Sequence, residues 1–77
     1  MQQVTQHPTL YLLSLLLPTE CECSLLEKTT YQIRCPDFVT AFYVWNRRML
    51  CIYPLLRPGD MVEVIGDNFY HKSNPLP

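Results

Sequence analysis

Four cysteines, Cys21, Cys23, Cys35 and Cys51, are the first residues whose chemistry has to be weighed. A thiol can hold a metal, form a disulfide or serve as a small buried apolar group. Structural zinc sites usually pair their sulfurs as C-x2-C or C-x4-C, because that spacing lets one tight turn aim both at one ion. The close pair here is C-x-C. On a strand, two such sulfurs share a face but sit about 6–7 Å apart, which is wide for one tetrahedral ion. His71 is a further candidate ligand. The preferred reading makes the cysteines apolar residues on inward faces, with no metal and no cofactor. A disulfide remains open, and Cys23–Cys35 is the pairing a hairpin would bring face to face.

The carboxylates do not assemble a catalytic pattern. Asp37, Asp60 and Asp67 each stand beside a proline or glycine, where a short acid hydrogen-bonds its own backbone and shapes a turn. The two histidines, His7 and His71, lie at opposite ends, so neither is expected to be held as a general base. Gly59 and Gly66 stand alone, and no glycine-rich phosphate loop exists. The chain is therefore read as non-enzymatic.

A third grouping is basic and aromatic. The stretch "FYVWNRRMLCIY", residues 42–53, sets Arg47 and Arg48 close to Trp45. Arginine for phosphates and rings for base stacking are what a single nucleic-acid strand needs, at about 1–3 kcal/mol per stacked base. Tyr43, Trp45 and Tyr53 are the candidate platform. The same residue types, with Met49, are also those enriched at protein interfaces. The formal net charge of −1 counts against electrostatically driven binding to nucleic acid.

These residues need elements to position them. "CECSLL" alternates, with Cys21, Cys23 and Leu25 on one face, and "YQIRC" alternates again, with Tyr31, Ile33 and Cys35 inward. Two period-2 runs around the polar "EKTT" predict an antiparallel hairpin with one buried face. Residues 38–45 are rich in β-branched and aromatic side chains, which suit a strand. "NRR" then reads as a hairpin tip and Met49–Tyr53 as the returning strand. In that register Phe42, Val44, Leu50 and Ile52 share one face, and Tyr43, Trp45, Met49 and Cys51 share the other. Both faces are apolar, so one must meet something beyond the main core. "RPGD" is a tight turn, "MVEVI" a strand with Val62 and Val64 on one face, "GDN" another turn and "FYH" a last short strand. Thr9–Leu17 is a continuous apolar run closed by Pro18. Periodicity alone leaves strand and helix open there, and the β-rich remainder tilts the reading to strand.

Composition bounds the whole. A chain of 77 residues is one domain, and a core this small supplies roughly 3–5 kcal/mol of net stability. With 48% hydrophobic and 17% charged residues the chain is apolar enough to fold. It has seven prolines and a single alanine, Ala41, poor material for a helical bundle. Such skewed usage fits a small protein encoded under an outside constraint, such as a viral accessory protein. No run reaches the roughly 18 apolar residues needed to span a bilayer. "TLYLLSLLLP" matches the apolar part of a signal peptide, but no Lys or Arg precedes it and no small-residue cleavage site follows. Cytoplasmic or nuclear placement is expected ahead of secretion.

The phrase "LLRPGDMVEVIGD" resembles the turn-then-strand entry of small barrels, including oligonucleotide-binding folds of the translation-initiation type. The resemblance covers about ten residues and implies only a fold. The residues between "NRR" and "RPGD" are too few for the helix usually inserted in that fold.

The sequence thus predicts a mainly β domain over residues 9–71, a small antiparallel barrel or sandwich of five or six short strands, with oligonucleotide-binding-like topology as one option. Flexible tails are expected at 1–8 and 72–77. Function is expected to be binding of a protein partner, or of a second copy, through Tyr43, Trp45, Arg47, Arg48, Met49 and Tyr53, without a membrane. The alternative is single-stranded RNA or DNA on the same residues.

Overall fold

The structure is a computed structural model that describes residues 7–77. In chain order it runs α1 (Pro8–Leu16), β1 (Glu22–Leu26), β2 (Thr30–Arg34), α2 (Phe38–Asn46), a π-helical turn (Arg48–Ile52), a 3₁₀ turn (Tyr53–Leu55), β3 (Met61–Gly66) and β4 (Phe69–Lys72). The strands form one sheet in the order β1-β2-β3-β4. The outer pairs are antiparallel and the central pair, β2 with β3, is parallel.

This corrects the expected barrel or sandwich of five or six strands. The protein is a small α/β fold with a four-stranded mixed sheet that is not closed. The reason lies in the central pair. Parallel neighbours cannot be joined by a tight hairpin and need a crossover of a dozen or more residues, usually helical. The chain from Cys35 to Asp60 is that crossover. Its β-prone composition is overruled by the connection it has to make.

The parts with local signals form as predicted. β1 and β2 pair as an antiparallel hairpin, with Cys23 opposite Ile33 and Leu25 opposite Tyr31. Val62 and Val64 lie together on one face of β3, alongside Tyr31 and Ile33 of β2. Asp60 shapes the "RPGD" turn by accepting the Arg57 backbone N–H at 2.9 Å. β4 completes the sheet, with Phe69 opposite Gly66 and His71 opposite Val64.

α1 replaces the strand expected over Thr9–Leu17. Its signals were present: the His7 side chain accepts the Leu10 N–H, Pro8 occupies the first turn, and Leu17 is extended ahead of Pro18. Leucine's high helix propensity does the rest. Leu13 is fully buried, and Leu10 and Leu17 pack beside it, so helical spacing selects the inward stripe. α2 is capped by Asp37, whose Oδ1 accepts the Thr40 N–H at 2.7 Å. That bond holds the Asp37 carboxyl below its ordinary range. Ala41 and Val44 form its buried stripe. The chain's single alanine sits where α2 comes closest to β3, against Gly66.

Both helices and the π-helical turn cover one sheet face, on which Leu13, Tyr31, Ile33, Ala41, Val44, Ile52, Val62, Val64 and Phe69 make the core. After β4 the chain, read from the sequence as a flexible tail, is hydrogen-bonded onto the residues around β3's start. Ser73 exchanges bonds with Val62, and Leu76 with Gly59 and Asp60.

The other sheet face is uncovered by any described helix. Near its centre Gln32 Nε2 donates to Glu63 Oε1 at 2.8 Å, and the Tyr70 hydroxyl donates to Glu63 Oε2. Glu63 is nearly buried for so polar a residue, and these two bonds lower its carboxyl below its ordinary value of 4.5. A depressed carboxyl contributes stability that is complete above the ordinary value and is lost as pH falls through the folded one. The urea midpoint of the wild type should therefore drop between pH 7 and pH 3 by more than that of Glu63→Gln. Equal drops in the two proteins refute this role for Glu63.

Candidate interaction surface

The hairpin expected over residues 42–53 is not formed. α2 runs through Asn46, whose side chain donates to the Phe42 carbonyl at 2.7 Å, and Arg47 leads into the π-helical turn. The six residues singled out in the sequence separate into two groups by this winding.

Trp45, Arg48 and Tyr53 turn toward one another. The Arg48 guanidinium lies 3.9 Å from the Trp45 ring centroid. Its Nη1 donates to the Trp45 carbonyl at 2.8 Å and its Nε to the Tyr53 hydroxyl at 3.1 Å. Trp45 also stacks with His71 of β4, centroids 5.0 Å apart and planes 22° from parallel. This is a stapling cluster: a cation over rings and two directed bonds hold the π-helical turn to α2 and to the sheet. One face of the Trp45 ring is covered by Arg48 and two of the five Arg48 N–H donors are engaged within the cluster.

Tyr43, Arg47 and Met49 turn outward. The Arg47 guanidinium covers the Tyr43 ring at 5.4 Å, an i, i+4 pair on the surface of α2. Met49 and its neighbour Leu50 are 66% and 79% exposed. The pairing read from the sequence, with Tyr43, Trp45 and Met49 on one face, fails because helical winding replaces alternation.

The sequence reading missed what lies beside them. α1 exposes Tyr11, Leu12, Leu15 and Leu16, and α2 exposes Phe38, Val39, Phe42 and Tyr43. With Met49 and Leu50 of the π-helical turn, the helical layer displays ten of the twelve large hydrophobic residues left exposed among the described residues; the other two are Leu26 and Tyr70. None of these three helical segments contains a carboxylate. Where α1 ends against α2, Leu16, Pro18, Tyr43 and Arg47 wall a shallow groove floored by Val44 and Ile52. The groove admits only about 30 Å³, far below the roughly 300–1,000 Å³ of a small-molecule site. The arrangement is a surface for contact rather than a pocket. The missed signal was the run "LYLLSLLL": read as a helix, its 3.6-residue winding turns half of its leucines outward.

Three of the titratable groups weighed in the sequence have structural partners. His7 caps α1, Asp37 caps α2, and Asp60 shapes a turn. Among the described residues, no group of three or more His, Cys, Asp or Glu is placed to hold a metal ion, and no helix is long and apolar enough to cross a membrane. The disulfide pairing inferred from the sequence also changes, since Cys23 faces Ile33 and Cys21 is the residue that meets Cys35. Set against protein-family models, curated proteins and solved structures, the chain matches none of them.

Proposed function

We propose that this chain is a non-enzymatic interaction module that docks a different protein onto its helical layer. The observation that carries this reading is the concentration of exposed apolar side chains on α1, α2 and the π-helical turn, segments that hold no carboxylate and end beside Arg47. Exposed apolar patches of this kind mark interaction sites, and aromatic, Met and Arg residues are those that dominate binding energy there. The charge pattern specifies the partner: an apolar patch edged with Asp or Glu, to meet Arg47. A symmetric dimer would bury the patch against itself and offer Arg47 only the second copy's Asp37, whose Oδ1 already accepts the Thr40 N–H, so a second copy is the poorer fit. Single-stranded nucleic acid is poorer still, because the formal net charge is −1 and Arg48 already lies over Trp45 and donates to Tyr53.

The test is affinity capture from the source cell, with and without nuclease, using wild type and surface variants whose circular dichroism is unchanged. A nuclease-resistant protein partner is expected. Leu50→Asp and Arg47→Glu should each weaken it by about 30-fold or more, the scale of a hot-spot residue. Lys72→Glu, on the open sheet face, should retain it. The reading fails if capture is nuclease-sensitive, if Leu50→Asp and Arg47→Glu bind as wild type, or if sedimentation shows the isolated chain dimerising through Leu50.

A further inference from the structure

Cys21 and Cys35 lie outside the surface just described. Glu22 pairs with Arg34 in the β1–β2 hairpin, so one step further along the ladder sets Cys21 opposite Cys35. Their sulfurs are 3.4 Å apart, and both thiols are free and partly exposed. A disulfide needs about 2.05 Å between sulfurs and Cβ atoms about 3.5–4.5 Å apart, which directly opposed residues of neighbouring strands come close to supplying. The other two cysteines have no such neighbour: Cys23 faces Ile33, and Cys51 belongs to the π-helical turn.

We propose that Cys21 and Cys35 form a reversible intramolecular disulfide by exchange with a low-molecular-weight disulfide such as oxidised glutathione. In the first step the Cys21 thiolate attacks one sulfur of the small disulfide. A Cys21–glutathione bond forms, the glutathione S–S bond breaks, and the leaving thiolate takes up a proton. In the second step the Cys35 thiolate attacks the Cys21 sulfur and expels the second glutathione thiolate, which is protonated in turn. The two protein thiols lose two electrons and two protons, and one glutathione disulfide becomes two thiols.

The position gives the bond a consequence. Cys21 lies in the connection that follows α1, and Cys35 in the connection that precedes α2. A bond between them joins positions 14 apart in sequence and staples the roots of the two helices to one end of the hairpin. Loop closure of that length restricts the unfolded chain substantially. The bond stands or falls independently of any partner on the helical surface.

Burial sets the pace. Desolvation is the main cause that raises both thiols above their ordinary range, Cys35 to about 12. At 3.4 Å the partner thiol can donate to whichever sulfur ionises first, so the same two steps run equally with the cysteines exchanged. Exchange is therefore slow at neutral pH and accelerates about tenfold per pH unit while the thiols remain mostly protonated.

The experiment incubates the folded full chain with oxidised glutathione at pH 7 and pH 8, blocks residual thiols by alkylation and reads intact and peptide masses. The expected product is about 2 Da lighter before alkylation, retains two of the four thiols and yields a peptide linking Cys21 to Cys35. Its Tm should rise by about 10 °C and return on adding dithiothreitol. Cys23→Ser and Cys51→Ser should form the bond; Cys21→Ser and Cys35→Ser should stop at a glutathione adduct. The proposal is overturned by a bond through Cys23 or Cys51, by adducts that persist in the wild type without closure, or by thiols inert in the folded chain that react once it is unfolded in urea. An unchanged or lowered Tm in the linked product overturns the stapling.

Discussion

Gly66→Ala is expected to remove most of the protein's stability at 25 °C. Gly66 ends β3 beneath the first turns of α2, and a Cβ placed there would stand 2.6 Å from the Ala41 Cβ and 2.8 Å from the Asp37 carbonyl oxygen. Neither atom is the tip of a flexible side chain. One is fixed to the helix backbone, and the other belongs to the capping residue and accepts the Ala41 N–H. Relief requires α2 to lift from the sheet, which opens the contacts of Val44 with the core beneath. Overpacking costs about 1–3 kcal/mol, and two contacts under 3 Å to rigid atoms put this site at the upper end, against the roughly 3–5 kcal/mol available to a domain of this size. Gly59→Ala is the control. Gly59 has a positive φ of 92° with nothing within 4 Å of its added Cβ, so its cost is the backbone term alone, on the order of 1–2 kcal/mol. Urea denaturation followed by circular dichroism separates the two. A Gly66→Ala protein as stable as Gly59→Ala would show that α2 does not sit as closely on β3 as described.

The same helix shows where the sequence was legible. The β1–β2 hairpin could be read because its alternation and its turn lie within one short stretch, so Tyr31 and Ile33 were placed inward correctly. Val62 and Val64 were legible for the same reason. α2 was not, because Phe38–Trp45 has the composition of a strand and the force that overrides it is non-local. It comes from the parallel pairing of β2 with β3, which no local pattern announces, and which obliges the chain between them to cross the sheet. The Gln32–Glu63–Tyr70 network was hidden by the same pairing, since Gln32 and Glu63 meet only once those strands are neighbours. At the candidate surface, residue types did not announce the geometry. Tyr43, Arg47 and Met49 do face outward, while Trp45, Arg48 and Tyr53 were drawn into one platform with them because arginines beside aromatic rings look alike whether they bind a ligand or each other.

The decisive contrast is between residues two apart. A hairpin places Leu50 and Ile52 on one face and predicts similar costs for truncating either, and likewise for Phe42 and Val44. The helical winding separates them: Ile52 and Val44 are each 2% exposed, whereas Leu50 and Phe42 are 79% and 53% exposed. Ile52→Ala should therefore cost about 3 kcal/mol, the transfer of the lost carbons plus the cavity left over the sheet. Leu50→Ala should change stability by no more than about 0.5 kcal/mol, as an exposed substitution does. Val44→Ala should likewise cost more than the larger truncation Phe42→Ala, whose ring rests only partly on Phe69, 6.5 Å between centroids. Urea midpoints of the four variants measure this directly, and equal losses at positions 50 and 52 would restore the hairpin. The contrast also bears on function. A large leucine side chain that adds almost nothing to folding and lies 79% exposed beside Met49 and Arg47 is costly to leave in water. On the docking reading its contribution appears only when a partner covers it. Leu50→Ala is then the variant that keeps the fold and loses the complex, and Ile52→Ala the one that loses the fold itself.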